Sequence, residues 1–318
     1  MTLMSYLEAG KRALAEEMRR DPAVWALGED LGRGGVFGQY KGLAEEFGPQ
    51  RICDTPISEA CIMGAAVGAA LVGTRPVVEM RFSDFALCAI DELVNQAAKA
   101  RYMFGGQGRV PLVVREPVGM WRSSAAQHSQ SLEAWYAHIP GLVVVTPSTP
   151  ADNYGLLKAA IRCDDPVVYM EHKDLWPLEG EVEADGEALP LGKARILRQG
   201  GDLTIVAWSG VLRTVRQAAE ALAGTGVAAE VIDLRTLYPW DRETVLASAA
   251  RTRRLLVVHE AVAIGGFGGE IAATAAEELG VRVKRLGAPR LPVAYAPPLE
   301  AQCRVSEAQI VAAARTLL

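Results

Sequence analysis

Two groups in this 318-residue chain can exchange protons near neutral pH from positions a ligand would reach, the carboxyl of Glu59 and the imidazole of His128. Glu59 stands at the mouth of Cys61-Ile62-Met63-Gly64-Ala65-Ala66-Val67-Gly68-Ala69-Ala70, built from small and apolar residues. Ser58 can cap that run as a helix, placing Glu59 in the first turn, where the dipole favours negative charge. A helix apolar on every side is expected to be buried nearly all round, so the acid should face a crevice. Desolvation there would raise its pKa toward the range useful for proton exchange. The competing reading is an acid that only stabilises its own helix. His128 lies in the polar segment 123–131 after a strand end, where open α/β sheets bind ligands. An ordinary loop histidine is the alternative there. His138, His172 and His259 sit beside apolar or helical residues and read as structural.

The elements that must position these groups alternate along the chain. Ser5-Tyr6-Leu7-Glu8 has the form of a capping box and opens a helix to about Arg20, stopped by Asp21-Pro22. Strands are expected at 24–27, 76–82, 111–116, 142–145 and 167–171, with helices at 84–102, 131–138 and from Thr149-Pro150. A glycine-rich loop (Gly32, Gly34, Gly35, Gly38) lacks the strand–GxGxxG–helix setting of a phosphate loop and reads as a surface loop. Residues 173–192 lose periodicity and gather acids, prolines and glycines, as a linker does. The alternation then restarts with strands at 203–208, 229–234 and 255–259. Continuous apolar strands alternating with helices indicate parallel sheets covered on both faces. The fold class is α/β with two doubly wound domains, 1–180 and 193–318.

Composition narrows the partners. Half the residues are hydrophobic and the net charge of -5 forms no basic stripe, which argues against nucleic acid. Five scattered cysteines (Cys53, Cys61, Cys88, Cys163, Cys303) without a C-x-x-C pair read as reduced thiols rather than metal ligands. No signal peptide or membrane span is evident, so a cytoplasmic protein is expected.

Gly28-Glu29-Asp30, Asp54-Thr55-Pro56-Ile57-Ser58-Glu59, Arg75-Pro76-Val77-Val78-Glu79 and Gln127-His128-Ser129-Gln130-Ser131 occur in order, followed by Pro140-Gly141-Leu142, Pro147-Ser148-Thr149-Pro150 and Asp165-Pro166-Val167-Val168. Together they resemble the β subunit of the thiamine-diphosphate-dependent decarboxylating component of 2-oxoacid dehydrogenase complexes (pyruvate, branched-chain and acetoin types). The resemblance spans essentially the whole chain. It implies a transketolase-like fold, a pyrimidine-binding domain followed by a transketolase C-terminal-like domain.

By this resemblance Glu59 hydrogen-bonds N1′ of the cofactor's aminopyrimidine, Phe85 packs on that ring, and Ile57 contacts the cofactor. His128 faces the substrate and the incoming lipoyl group, and Glu29 joins a network of acids. Some members hold a potassium ion at positions matching Leu112, Ala160, Ile161, Cys163 and Asp165, and oxygen ligands suit that cation. Arg81 stands where many relatives carry a neutral residue, and Gly119-Met120-Trp121-Arg122 replaces a stretch usually richer in glycine. Either arginine would favour an acidic or extended substrate if it reaches the pocket, and both are equally readable as surface residues.

The family holds Mg²⁺ and the diphosphate through a Gly-Asp-Gly motif and a later asparagine. This chain has no Gly-Asp-Gly and only Asn95 and Asn153. An α subunit is therefore expected to supply that half of the site, in a heterotetramer of two α and two β chains. The C-terminal domain is expected to dock on the lipoyl acyltransferase core. Three other readings compete: a split transketolase acting on sugar phosphates, a nucleotide- or flavin-binding electron-transfer module, and a non-catalytic scaffold subunit.

Overall fold

The computed structural model describes residues 1–318, and two of the helix-start signals act where the sequence places them. Ser5 and Glu8 form a reciprocal capping box at the head of helix Tyr6–Arg20. Thr149 caps helix Pro150–Arg162 by accepting from the Asp152 N–H, with proline in the first turn. The chain divides into two compact units, Met1–Val118 with Trp135–Leu191, and Gly119–Ala134 with Gly192–Leu318.

The first unit contains β1 (Thr2–Ser5), β2 (Val24–Gly28), β3 (Ile52–Asp54), β4 (Arg75–Glu79), β5 (Val113–Val118), β6 (Val143–Val145), β7 (Val167–His172) and β8 (Glu179–Val182). Its main sheet runs β6-β7-β5-β4-β2-β3, every pair parallel. The chain visits β2 and β3 first and then crosses to β4, so the strand order reverses between β2 and β4. In an open α/β sheet the crevice at the carboxyl ends of such a pair is where ligands bind. The strands are buried and largely apolar because helices cover the faces. Helix Tyr6–Arg20 packs on Pro150–Arg162, burying Ala9, Ala13 and Leu14 against Leu157 and Ile161.

The segment read as a linker contributes structure to this unit. β8 pairs antiparallel with β1, Thr2 opposite Val182, and Leu189 and Leu191 pack against the core. The expected helix over 84–102 is divided into helix Ser83–Ala86, a 3₁₀ turn Leu87–Ala89, a π-helical segment Glu92–Ala97 and helix Ala98–Met103. Apolar spacing does not separate i+4 from i+5 bonding, so the pattern gave a single helix.

The second unit carries β9 (Arg195–Arg198), β10 (Leu203–Ala207), β11 (Ala229–Asp233), β12 (Thr236–Tyr238), β13 (Arg254–Val262) and β14 (Arg282–Ala288). Its sheet runs β14-β13-β10-β11-β9, parallel except for the edge strand β9. Helix Leu212–Ala223 turns Leu212, Val215, Ala219 and Leu222 inward, and Ile310 of helix Glu307–Arg315 shares that core. No helix of the chain is long and apolar enough to cross a membrane.

Candidate active site

The residues that follow β2, β3 and β4 come together at the switch point. Glu29 and Asp30 leave β2, Glu59 begins the helix after β3, and Arg81 and Phe85 follow β4. Arg81 is the hub. Its Nη1 lies 3.4 Å from Glu29 Oε2 and its Nη2 lies 3.2 Å from Asp30 Oδ2. Glu29 is buried, and burial pushes its carboxyl up; Arg81 pulls it back, while Glu59 and Asp30 push it further up. The three acids are thus electrostatically linked, with one guanidinium between two of them.

Helix Glu59–Leu71 departs from its expected setting in two ways. Ser58 occupies the cap position but makes no side-chain cap bond; its carbonyl accepts from the Ile62 N–H at 2.9 Å. The helix is also not buried all round. Ile62, Met63, Ala66, Val67 and Ala70 face inward, whereas Ala60, Cys61, Ala65 and Gly68 form an exposed face. Composition alone cannot distinguish a helix covered by its own chain from one whose face is left open. Ile57, beside Glu59, is 75% exposed. Phe85 is half-buried and meets Phe82 edge to face, with centroids 5.5 Å apart.

The glycine-rich loop is fastened to this region. Gly32 N–H donates to Asp54 Oδ1 at 2.6 Å, and a Cβ at Gly32 would meet Asp54 Oδ2 at 2.6 Å. Gln39, at the end of the loop, donates to Glu79 Oε1 at 3.2 Å.

Beneath the strand ends lies a charged core that no pattern singled out. Arg115 of β5 sits between Glu171 of β7, at 2.7 Å, and Glu79 of β4, at 3.3 Å. All three side chains are at least 95% buried. Desolvation pushes the Glu79 carboxyl up to about 7; Arg115 opposes this, Glu171 adds to it, and bonds from Gln39 and Tyr40 oppose it. One cation against two acids leaves the cluster short of positive charge, so one proton is held more tightly than usual. Glu79 is two residues before Arg81, so the cluster fixes the strand end that delivers the arginine. The only sequence signal was the presence of charged residues within three largely apolar strands, Arg75 and Glu79 in β4, Arg115 and Glu116 in β5, and Glu171 in β7. Glu116, also in β5, is fully buried; desolvation raises its carboxyl to about 8, the Tyr136 hydroxyl opposing and Asp84 reinforcing the shift.

His128 belongs to the second unit. Its N–H donates to Ala125 O at 3.4 Å, closing a turn in the loop 119–132. Arg122, Ser123 and Ala125 in that loop have φ of 46°, 57° and 63°. None of the three is glycine, yet the backbone keeps a shape natural to glycine. Left-handed geometry costs roughly 1–2 kcal/mol per non-glycine residue. Charge-assisted hydrogen bonds to this loop, each worth about 1.5–3 kcal/mol, are of the size needed to offset it. Arg122 is exposed and lies over Trp121, 5.0 Å from the ring centroid. Of the other histidines, His138 is exposed. His172 is buried and accepts from the Asp174 N–H, and His259 is buried with its pKa depressed to about 4 by desolvation.

The positions compared with a potassium site cluster at the end of helix Pro150–Arg162, where the dipole favours a cation. Arg75 Nη1 donates to Ile161 O and to Cys163 O, each at 3.0 Å, and Asp165 pairs with Arg101. Ala160 O accepts from the Cys163 N–H and Leu112 O from the Val167 N–H. A carbonyl has two lone pairs, so these oxygens can bind a further cation beside the guanidinium.

Comparison with known proteins identifies both halves of the chain. Residues 3–179 match the transketolase pyrimidine-binding domain and residues 192–310 the transketolase C-terminal domain. The chain is 44% identical over 324 residues to the 2-oxoisovalerate dehydrogenase subunit beta of Bacillus subtilis (strain 168), covering 100% of this chain and 99% of the other. It is 46% identical to the acetoin:2,6-dichlorophenolindophenol oxidoreductase subunit beta of Cupriavidus necator, with 95% and 94% covered. Identity to the mitochondrial pyruvate dehydrogenase E1 component subunit beta-2 of Oryza sativa subsp. japonica is 44%, with 98% and 85% covered. Among solved structures, a split-gene transketolase in an inactive beta4 tetramer superposes with a TM-score of 0.81 at 25% identity, covering 99% of this chain and 98% of that one. The chain belongs to the transketolase-type α/β family that joins a pyrimidine-binding domain to a C-terminal domain. Within it, the chain falls in the group of dehydrogenase E1 β subunits represented by the 2-oxoisovalerate, acetoin and pyruvate enzymes.

Proposed function

We propose that this chain is the β subunit of a thiamine-diphosphate-dependent 2-oxoacid dehydrogenase component and furnishes the pyrimidine end of a site shared with an α subunit. The supporting observation is the gathering of Glu29, Glu59, Arg81 and Phe85 at the sheet's switch point, beside an open helix face. When bound, thiamine diphosphate supplies the electron sink for decarboxylation. Glu59 would hydrogen-bond N1′ of the pyrimidine, Phe85 and Ile57 would pack on that end, and Glu29 would modulate the charge around Glu59. His128 would donate to the oxygen that gains charge on the substrate, and the disulfide of lipoamide would act as the two-electron acceptor, one sulfur taking the acyl group and the other becoming a thiol.

The diphosphate and Mg²⁺ fall to the α subunit, since this chain has no Gly-Asp-Gly. Two α and two β chains, docked on an acyltransferase core, complete the proposal. Potassium is proposed at Leu112, Ala160, Ile161, Cys163 and Asp165, sharing carbonyls with Arg75.

Co-expression with an α partner tests the reading. The complex should decarboxylate pyruvate or a branched 2-oxo acid, or cleave acetoin, and Glu59→Gln should abolish this while the subunits still assemble. In calorimetry the β chain alone should bind thiamine diphosphate with Mg²⁺ weakly. Full turnover by Glu59→Gln, or tight binding by the lone chain, would refute it. The fold match to a split-gene transketolase makes a ketose phosphate the second substrate class for the same assay.

A further inference from the structure

We propose that Glu260, Arg304 and Glu300 form a clamp that positions the His128 loop, a role that rests on the reading of His128 as the substrate-facing group. The left-handed backbone at Arg122, Ser123 and Ala125 is one that glycine adopts freely and other residues resist. The loop has no glycine at those three positions to relieve it, so the shape must be imposed by surrounding groups. Three bonds impose it. Met120 N–H donates to Glu260 Oε1 at 2.7 Å, and Ser123 N–H donates to Glu300 Oε2 at 2.6 Å. Arg304 Nη2 donates to Met120 O at 2.5 Å.

Arg304 also joins the two acids. Its Nη2 lies 3.0 Å from Glu300 Oε1 and its Nη1 lies 3.9 Å from Glu260 Oε2. Two carboxylates thereby grip the backbone on either side of Trp121 and Arg122, held in register by one guanidinium. They come from separate elements, Glu260 from β13 and Glu300 from helix Pro297–Cys303. The clamped turn is followed directly by Ala125, whose carbonyl receives the His128 N–H. Wherever Ser123 is held, His128 follows.

The loop has room to move if released. Met120, Ser129 and Ser131 line one side of a cavity of about 560 Å³ that Glu260, Arg290 and Cys303 also border. Loss of the clamp should therefore displace the loop without unfolding the unit. These three are positioning residues, and none needs to touch substrate.

The test uses the reconstituted, cofactor-loaded α/β complex turning over its 2-oxo acid. Glu300→Ala is expected to lower kcat about tenfold with KM changed less than about twofold. Amide exchange across residues 119–128 should speed up by about tenfold or more. Glu300→Gln keeps an oxygen for the Ser123 N–H and should retain near-wild-type kcat and exchange. His128→Asn should cost far less in the Glu300→Ala background than alone, because both act through one group. Wild-type kcat and unchanged exchange in Glu300→Ala overturn the clamp. Normal turnover by His128→Asn alone overturns the reading of His128 instead, and the exchange data still decide whether the clamp holds the loop.

Discussion

Arg81 Nη1 lies 3.4 Å from Glu29 Oε2, the guanidinium set against a buried carboxyl. Burial raises the Glu29 carboxyl and the guanidinium lowers it. Arg81→Met should therefore raise the Glu29 pKa further, and the acid limb of the pH–rate profile should move to higher pH. If instead KM for the 2-oxo acid rises and the limb stays in place, Arg81 serves the substrate rather than the acid pair.

Arg115 carries the buried cluster. Arg115→Met leaves Glu79 and Glu171 without their cation, which should cost about 3–5 kcal/mol. In a thermal melt of the full chain at pH 7 that corresponds to a loss of roughly 10 °C. Replacing all three residues with apolar side chains should cost much less, because no charge is then left unpaired.

Glu116 gives stability a pH dependence of known sign. Its carboxyl is raised from 4.5 to about 8, so the folded chain holds a proton that the unfolded chain has released. The contribution is complete below pH 4.5, is lost as pH rises toward 8, and does not change above that. The slope within that window is at most about 1.4 kcal/mol per pH unit. Glu116→Gln mimics the protonated acid and should flatten the fall in melting temperature between pH 5 and pH 8.5. Glu79, raised to about 7, leaves a residual slope of the same sign. An unaltered profile in Glu116→Gln would show that Glu116 is ionised in the fold.

Potassium should raise the melting temperature of the full chain above that in sodium at equal ionic strength, by roughly 1–4 °C if the ion is present at ten times its Kd. Asp165→Ala should remove the difference. Identical melts in the two salts would leave Arg75 as the sole cation at those carbonyls.

The parallel sheets, capped helices and switch-point acids were legible because each has a local signature: a capping box at Ser5, a proline after Thr149, apolar strands ending in Gly28-Glu29-Asp30. β14 was not, because an edge strand bearing Arg282, Lys284 and Arg285 lacks the apolar run of a central one. β1 and β8 were missed because each is four residues long and takes its stability from the other. The Arg115 cluster joins residues far apart in the chain; in the clamp only Glu300 and Arg304 have the i,i+4 spacing of an ion pair, and nothing local ties them to Glu260 or to Ser123. The open face of helix Glu59–Leu71 escaped notice because alanine and glycine look alike whether they pack inward or await a neighbour.

That face has a consequence for how variants of this chain should be screened. A side chain at Gly68 would meet nothing within 4 Å, and one at Gly64 would meet only the Glu92 stem at 3.6 Å. A Cβ at either position clashes with nothing in the chain, and in a helix it should raise rather than lower the melting temperature of the solitary polypeptide. Under the proposed docking of an α subunit, harm from larger side chains there would surface in the assembled complex, so libraries ranked on the orphan subunit would pass them.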